Sequence, residues 1–450
     1  MSHATTQDSL VPVFLDFETR SGTELKVSGG RGYVRGPDTE VLCAVAIVEG
    51  HGFVWGPWSC GETALHRQLA AASVPPAPTD AAKRRRREVA PWLDEPLTWH
   101  LHLGTEDVPA MLARRLLASR IDVTTRPACL VAHNAHGFDR HVWDAMGYPA
   151  PAGGWRDSLN LARRAGLPGS LDKCAESIYG RGKDAAGRKI MLRLSKPQKR
   201  RPRDNGSQPT FEDPSPFTFA PLVRYCALDV VLLAALWVDC DLGAPHPDDE
   251  VLAVHERIDE RGVPIDLGYV RELQEAEARV CLAALERAAE ALGWLDDDTP
   301  DVPRVRELVQ SPAKLGKFLN ARGVKVDDCK GDTLERVRVD LARVDADASY
   351  APAAGPTLAV IDARLAVANV VRSKLDALLA QTCPDGRLRG ALAYYGAQAT
   401  GRWAGRGAQL QNFTREVDWR EVSPLGRRPE PHEMTTIAEV QGALRGVIAV

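Results

Sequence analysis

Residues 11–18, "VPVFLDFE", set two acids, Asp16 and Glu18, two positions apart in an apolar, β-branched run. On a strand, residues two apart leave the same face, so these carboxylates are neighbours. At ~4 Å two such charges repel by about 1 kcal/mol in bulk water and about 4 kcal/mol at the effective dielectric of a protein site, so something must compensate them. Two more acids follow. "HNAHGFD" offers Asn134, Phe138 and Asp139 where a strand gives way to a helix, and "YCALD" offers Tyr225 and Asp229 at i and i+4 on one helix face. Taken singly, each piece has an ordinary structural explanation: a strand-end pair, a core tyrosine, a capping or ion-pairing acid. Asp157, in "WRDSLNLARR", precedes a helical run and reads as an N-cap rather than a fifth member of the set.

Together and in this order, the three pieces resemble the tyrosine-bearing form of the DEDD family of 3′-to-5′ exonucleases. Asp16 and Glu18 match its first motif, Asn134, Phe138 and Asp139 its second, and Tyr225 and Asp229 its third. The resemblance implies a ribonuclease H-like fold and phosphodiester hydrolysis with two Mg²⁺ or Mn²⁺ ions. Such ions favour hard carboxylate ligands, supply hydroxide near neutral pH and neutralise the leaving oxygen. It further implies that Asp16, Glu18 and Asp229 bind the ions directly, that Asp139 acts largely through water, and that Tyr225 orients the attacking water. Asn134 and Phe138 would support the substrate strand.

The elements that must position these residues follow from periodicity. "VLCAVAIVEG" and "HGFVW" read as a strand pair beside the first strand, and "ACLVAHN" as another buried strand. "FDRHVWDAMG" suits a short helix ended by Gly147, and "SLDKCAESIYG" a further helix. "LVRYCALDVVLLAALWVDC" reads as a long amphipathic helix. Residues 73–90, containing "KRRRR", and the polar, basic stretch 181–217, containing "KPQKRRPR", read as exposed excursions. Each basic run is either a solvated loop or a track for a phosphate backbone. Strands mixed with helices in this way predict an α/β domain over 10–243.

Beyond it the chain turns helical: "YVRELQEAEARVCLAALERAAEAL", then "SPAKLGKFLNARG" with Ser311 as N-cap and Gly323 as C-cap, then one long helix over "TLAVIDARLAVANVVRSKLDALLAQ". From "PDGRLRGALAYYGAQATGRW" turns and β-prone residues return. Residues 244–450 resemble the entry to the polymerase domain of family A DNA polymerases, phage-type members in particular. "VHERIDERGVPIDLGYV" looks like the segment entering it, the helices over 244–383 like its thumb, and "TGRWAGRGAQLQNFTR" within 384–450 like the start of its palm. The resemblance implies primer-template contact by Arg402, Gln411, Asn412 and Arg415.

The reading is therefore an α/β ribonuclease H-like exonuclease followed by a mostly α-helical thumb and the start of a palm, from a family A DNA polymerase acting in replication or repair. No residue matches the family's palm carboxylates, so the expectation is a fragment, or one half of a split enzyme completed by a palm-and-fingers polypeptide. The expected partners are a single-stranded 3′ end and primer-template DNA. The rivals are a stand-alone 3′-to-5′ exonuclease and a non-catalytic DNA-binding subunit. Composition is compatible: 57 Lys and Arg against 60 Asp and Glu leave a net charge of −3, so any DNA contact must come from local clusters. Nine scattered cysteines without metal-ligand spacing read as reduced, buried thiols. The first ten residues lack the basic and apolar regions of an export signal, and no apolar run is expected to reach ~18 residues, so the reading is cytoplasmic with no membrane partner.

Overall fold

The computed structural model describes residues 10–122, 124–198, 209–345, 351–413 and 430–448. The chain divides into two compact units, residues 1–262 with 389–406, and residues 263–388 with 407–450. Residues 244–262 and 389–406, which follow the α/β region in sequence, thus belong to the same compact unit as that region.

In the first unit six strands form one mixed sheet: β1 (Val11–Arg20), β2 (Glu40–Val48), β3 (His51–Gly56), β4 (Thr98–Leu103), β5 (Ala128–Ala132) and β6 (Trp155–Asp157), in the order β4-β3-β2-β1-β5-β6. β1, β2 and β3 pair antiparallel, whereas β5 runs parallel to β1 and β6 parallel to β5. The helices are α1 (Leu25–Tyr33), α2 (Glu62–Ala70), α3 (Asp80–Val89), α4 (Ala110–Ile121), α5 (Asp139–Ala145), α6 (Ser158–Arg164), α7 (Leu171–Tyr179), α8 (Ala185–Ser195), α9 (Pro216–Asp239) and α10 (Asp249–Arg261).

Both faces of the sheet are covered, and alternation along β1 decides what faces what. Val13, Leu15 and Phe17 pack with Trp55 and Trp143 on one side. Phe14 packs on the other, in the cluster that holds most of α9. Asp16 and Glu18 share Phe14's parity, so they face α9. At Glu18 the ladder to β2 slips: Glu18 pairs with Cys43 and Thr19 with Val41, leaving Leu42 as an extra residue beside the acids.

Helix α9 is not amphipathic. It is buried along most of its length, as a helix apolar all round must be. It is also long and apolar enough to cross a membrane by length and composition, contrary to the sequence expectation. Its apolar window is 83% buried, so the covering elements account for its composition. The two basic excursions are also more structured than expected. Within 73–90, α3 is capped by Thr79 and turns Arg86 inward, where Nη2 lies 2.6 Å from Asp239 Oδ2 and Nη1 3.1 Å from Asp94. Within 181–217, α8 packs on α9, because Gly187 has no Cβ: one there would lie 2.7 Å from Tyr225 Cβ. Residues 199–203 of the second basic run lie outside the described residues.

A hairpin of Leu392–Ala397 and Arg402–Gly405 completes this unit. Tyr395 donates to Asp248, and the Gln398 amide donates to the Leu167 carbonyl.

The second unit is helical, with α11 (Leu267–Leu292), α12 (Val302–Gln310), α13 (Pro312–Ala321), α14 (Gly331–Asp345), α15 (Ala351–Val367), α16 (Val371–Gln381) and α17 (Ile437–Ala443), and all of these except α16 contribute to one apolar cluster. Ser311 caps α13 as expected, accepting from the Lys314 N–H. The expected single long helix is instead α15 and α16. Asn369 separates them: its Oδ1 accepts the Val371 N–H at 2.7 Å and its Nδ2 donates to Glu277 Oε1, so the amide caps a new helix. Near the end of the described residues Leu444–Val447 is a 3₁₀ turn, and Ile448 bridges to Ile265.

Candidate active site

Four elements of the first unit bring the acids together. β1 supplies Asp16 and Glu18, the β5-to-α5 junction supplies Asp139, and α9 supplies Tyr225 and Asp229 from the facing layer. Glu18, Asp139 and Asp229 are buried, as is Tyr225, while Asp16 is partly open to a cleft of about 930 Å³. Ligand atoms of Asp16, Glu18 and Cys226 lie within 4.8 Å of one another. Cys226 Sγ is 3.5 Å from Asp16 Oδ2, and burial pushes its thiol well above the ordinary range, so it stays a neutral neighbour.

The carboxylates are poorly compensated. Burial and the adjacent Asp229 charge push the Asp16 carboxyl up to about 7, although the Lys183 ammonium and the Cys226 contact pull it back. Burial and Asp16 raise Glu18 well above its usual value, and burial with Asp16 and Asp157 does the same to Asp139. Burial also raises Asp229, against the pull of Lys183. Asp139 Oδ1 and Asp229 Oδ1 are buried without a hydrogen-bond partner among the described residues. Orphaned buried oxygens of this kind call for an explanation, of which a bound ion is one. Hard divalent cations such as Mg²⁺ favour the carboxylates over the Cys226 thiol, so Asp16 and Glu18 would hold them, joined by Asp139 and Asp229, whose charges act on Asp16.

The second motif is fixed by its backbone. Asn134 adopts a left-handed conformation, φ 76° and ψ 36°, which asparagine tolerates better than most residues. The turn it opens is held by Asp157: Oδ1 accepts the N–H of Asn134 and of Leu159, and Oδ2 the N–H of His136. Asp157 is thus the N-cap of α6 that sequence suggested, and also the peg of the turn carrying Asn134, Phe138 and Asp139. Phe138 meets the edge of Tyr33 at 5.6 Å between centroids, and both line a second cleft of about 630 Å³ that reaches Glu18.

Sequence reasoning missed Lys183. Its Nζ lies 2.6 Å from Asp229 Oδ2 and 5.7 Å from the centre of the Tyr225 ring. Burial works against its charge, but Asp229 and Asp16 outweigh that and raise its pKa above the ordinary lysine value. The sequence signal was indirect: clustered acids require a cation, yet nothing local distinguishes Lys183 from the other basic residues of its stretch. Arg188, Lys189 and Arg406 also line the larger cleft, so basic side chains share it with the acids.

The remaining predicted residues belong to different compact units. Arg402 is exposed on the hairpin of the first unit, whereas Gln411 and Asn412 are exposed in a 3₁₀ turn, Leu410–Asn412, of the second. Arg415 lies outside the described residues.

No family model matches the chain. A DNA polymerase of Bacillus phage SP02 is 24% identical over 313 residues, 69% of this chain and 43% of that protein. The chain is similar in sequence to a phage DNA polymerase. It spans less than half the length of that relative. Among solved structures, the POL domain of Pol1 from M. smegmatis, in complex with DNA primer-template and dNTP, matches at 17% identity and a TM-score of 0.41, covering 91% of this chain and 53% of that one.

Proposed function

We propose that the first unit is a metal-dependent 3′-to-5′ exonuclease of the proofreading kind, with a ribonuclease H-like fold, within a family A DNA polymerase that works in the cytoplasm. The observation that carries this is a buried cluster in which the charges of Asp16, Glu18, Asp139 and Asp229 act on one another, with two orphaned buried oxygens and a cleft at Asp16 that also holds basic side chains. Similarity to a phage DNA polymerase makes DNA the substrate of choice.

Two Mg²⁺ or Mn²⁺ ions, when bound, supply a hydroxide near neutral pH and positive charge at the leaving oxygen. The chain's own part is to hold and aim. Asp16, Glu18 and Asp229 ligate, and Asp139 acts through water. Tyr225, on the same helix face as Asp229, orients the attacking water. Asn134 and Phe138 seat the 3′-terminal nucleotides, Phe138 offering an aromatic edge braced by Tyr33. Arg188, Lys189 and Arg406 meet backbone phosphates.

The second unit, in the same proposal, is the thumb, and Arg402, Gln411, Asn412 and Arg415 contact primer-template DNA. Nucleotide addition needs further metal-binding carboxylates, which belong in this proposal to a palm on a longer form of this chain or on a second polypeptide. The decisive experiment follows a 5′-labelled single-stranded oligonucleotide with Mg²⁺ or Mn²⁺. A ladder shortening from the 3′ end and abolished by EDTA is expected; cleavage that persists in EDTA, or starts from 5′ ends, overturns the reading.

A further inference from the structure

We propose that Lys183 is an internal counter-ion of the acid cluster, occupying Asp229 until a divalent cation displaces it, so that one of the two metal positions is loaded only against this lysine. The inference rests on the exonuclease reading and concerns the same site. Its ammonium lies 2.6 Å from Asp229 Oδ2, whereas Oδ1 of that carboxylate has no hydrogen-bond partner among the described residues. A carboxylate whose one oxygen is held by an ammonium is a poorer ligand, because lysine and metal seek the same negative charge.

The placement of Lys183 is built rather than incidental. Its own backbone N–H donates to Asp172 Oδ1 at 2.7 Å. The next residue, Asp184, caps α8 through the Ala186 N–H and pairs with Arg224 of α9 at 2.8 Å. Gly187 then lets α8 close onto Tyr225. The backbone around Lys183 is therefore pinned to α9, while the side chain, a quarter exposed, borders the cleft. Displacement leaves the ammonium beside Arg188 and Lys189, where a phosphate backbone would be its new partner.

The test is calorimetric titration of the full chain with Mn²⁺, without DNA. Wild type is expected to show one tight and one weak site. Lys183→Met should tighten the weak site by about tenfold or more, within the usual range of coupling between two ligands. Lys183→Arg, which keeps the charge, should retain the weak site. Identical isotherms for wild type and Lys183→Met, or weaker binding by the variant, overturn the inference. A second measurement needs no variant: an amine-reactive ester should label Lys183 of the wild type faster in saturating Mg²⁺ than in EDTA, and an equal or slower rate is contrary. If Mn²⁺ supports 3′ degradation but the isotherms coincide, this inference alone falls. If neither protein binds Mn²⁺ and no degradation occurs, the exonuclease reading falls with it.

Discussion

Asp157 Oδ1 accepts the backbone N–H of Asn134 at 3.1 Å, tying the end of β6 to the turn that carries the second acidic motif. The same carboxylate also takes the N–H groups of His136 and Leu159, so three backbone donors depend on one buried side chain. Asp157→Ala should destabilise the protein by about 2–3 kcal/mol, from a lost cap and stranded donors, and should lower nuclease activity by misplacing Asn134 and Asp139. Urea unfolding checks the first outcome; a change below about 0.5 kcal/mol, the level of an ordinary surface substitution, would count against the peg.

Asp16→Ala and Asp229→Ala should each remove most 3′-to-5′ activity, because each takes away a proposed metal ligand, while Tyr225→Phe should slow hydrolysis with Mn²⁺ affinity unchanged. Stability should move the other way. In EDTA at pH 8, Asp16→Asn relieves like-charge repulsion in a buried cluster and should stabilise the protein by about 1–2 kcal/mol. A destabilised Asp16→Asn under those conditions would mean that the cluster is compensated without metal.

Arg86 tests whether the first basic run is structural. Arg86→Ala should cost about 3–5 kcal/mol, since it leaves Asp239 buried without its guanidinium partner. DNA binding by the folded fraction should keep its salt dependence. A flatter salt slope would instead return residues 83–87 to a phosphate-tracking role.

His255 predicts an acid limit for the hairpin's seat on α10. Its ring lies 5.6 Å from Tyr394 and 6.1 Å from Trp403, and burial, aided by His136 and Arg406, holds its pKa down to about 4. The unfolded ring takes up a proton near pH 6.5, the folded one only near 4, so the unfolded state binds more protons between these values. The stability contribution is complete above pH 6.5 and is lost as pH falls towards 4, by about 3 kcal/mol. His255→Phe should remove that slope in urea titrations at pH 7 and 4.5; an unchanged slope places the effect elsewhere.

The 450-residue chain should bind primer-template DNA and leave it unextended under the proposed assignment of the palm to other residues. Arg402→Ala should weaken binding across all sequences and reduce the salt slope by about one, as loss of one phosphate contact does. Extension by the purified chain, freed of host polymerase, would refute the assignment.

The sequence by itself determined the pieces whose logic is local. Period-two alternation around Asp16 and Glu18, the i, i+4 spacing of Tyr225 and Asp229, and the caps at Asp157 and Ser311 each depend on residues within one or two turns of chain. Where a distant partner decides, sequence reading fell short. Asn369 breaks an apparently continuous helix because Glu277, 92 positions away, receives its amide. Arg86 folds inward because Asp239 waits 153 positions on, and α9 is apolar on all sides because a sheet and several helices close over it. Lys183 reaches Asp229 from 46 positions away only because Asp184 and Gly187 seat α8 on α9. Such pairings are made by chain closure across the fold, and a charge's role is set by which opposite charge shares its low-dielectric surroundings, which only the tertiary structure decides.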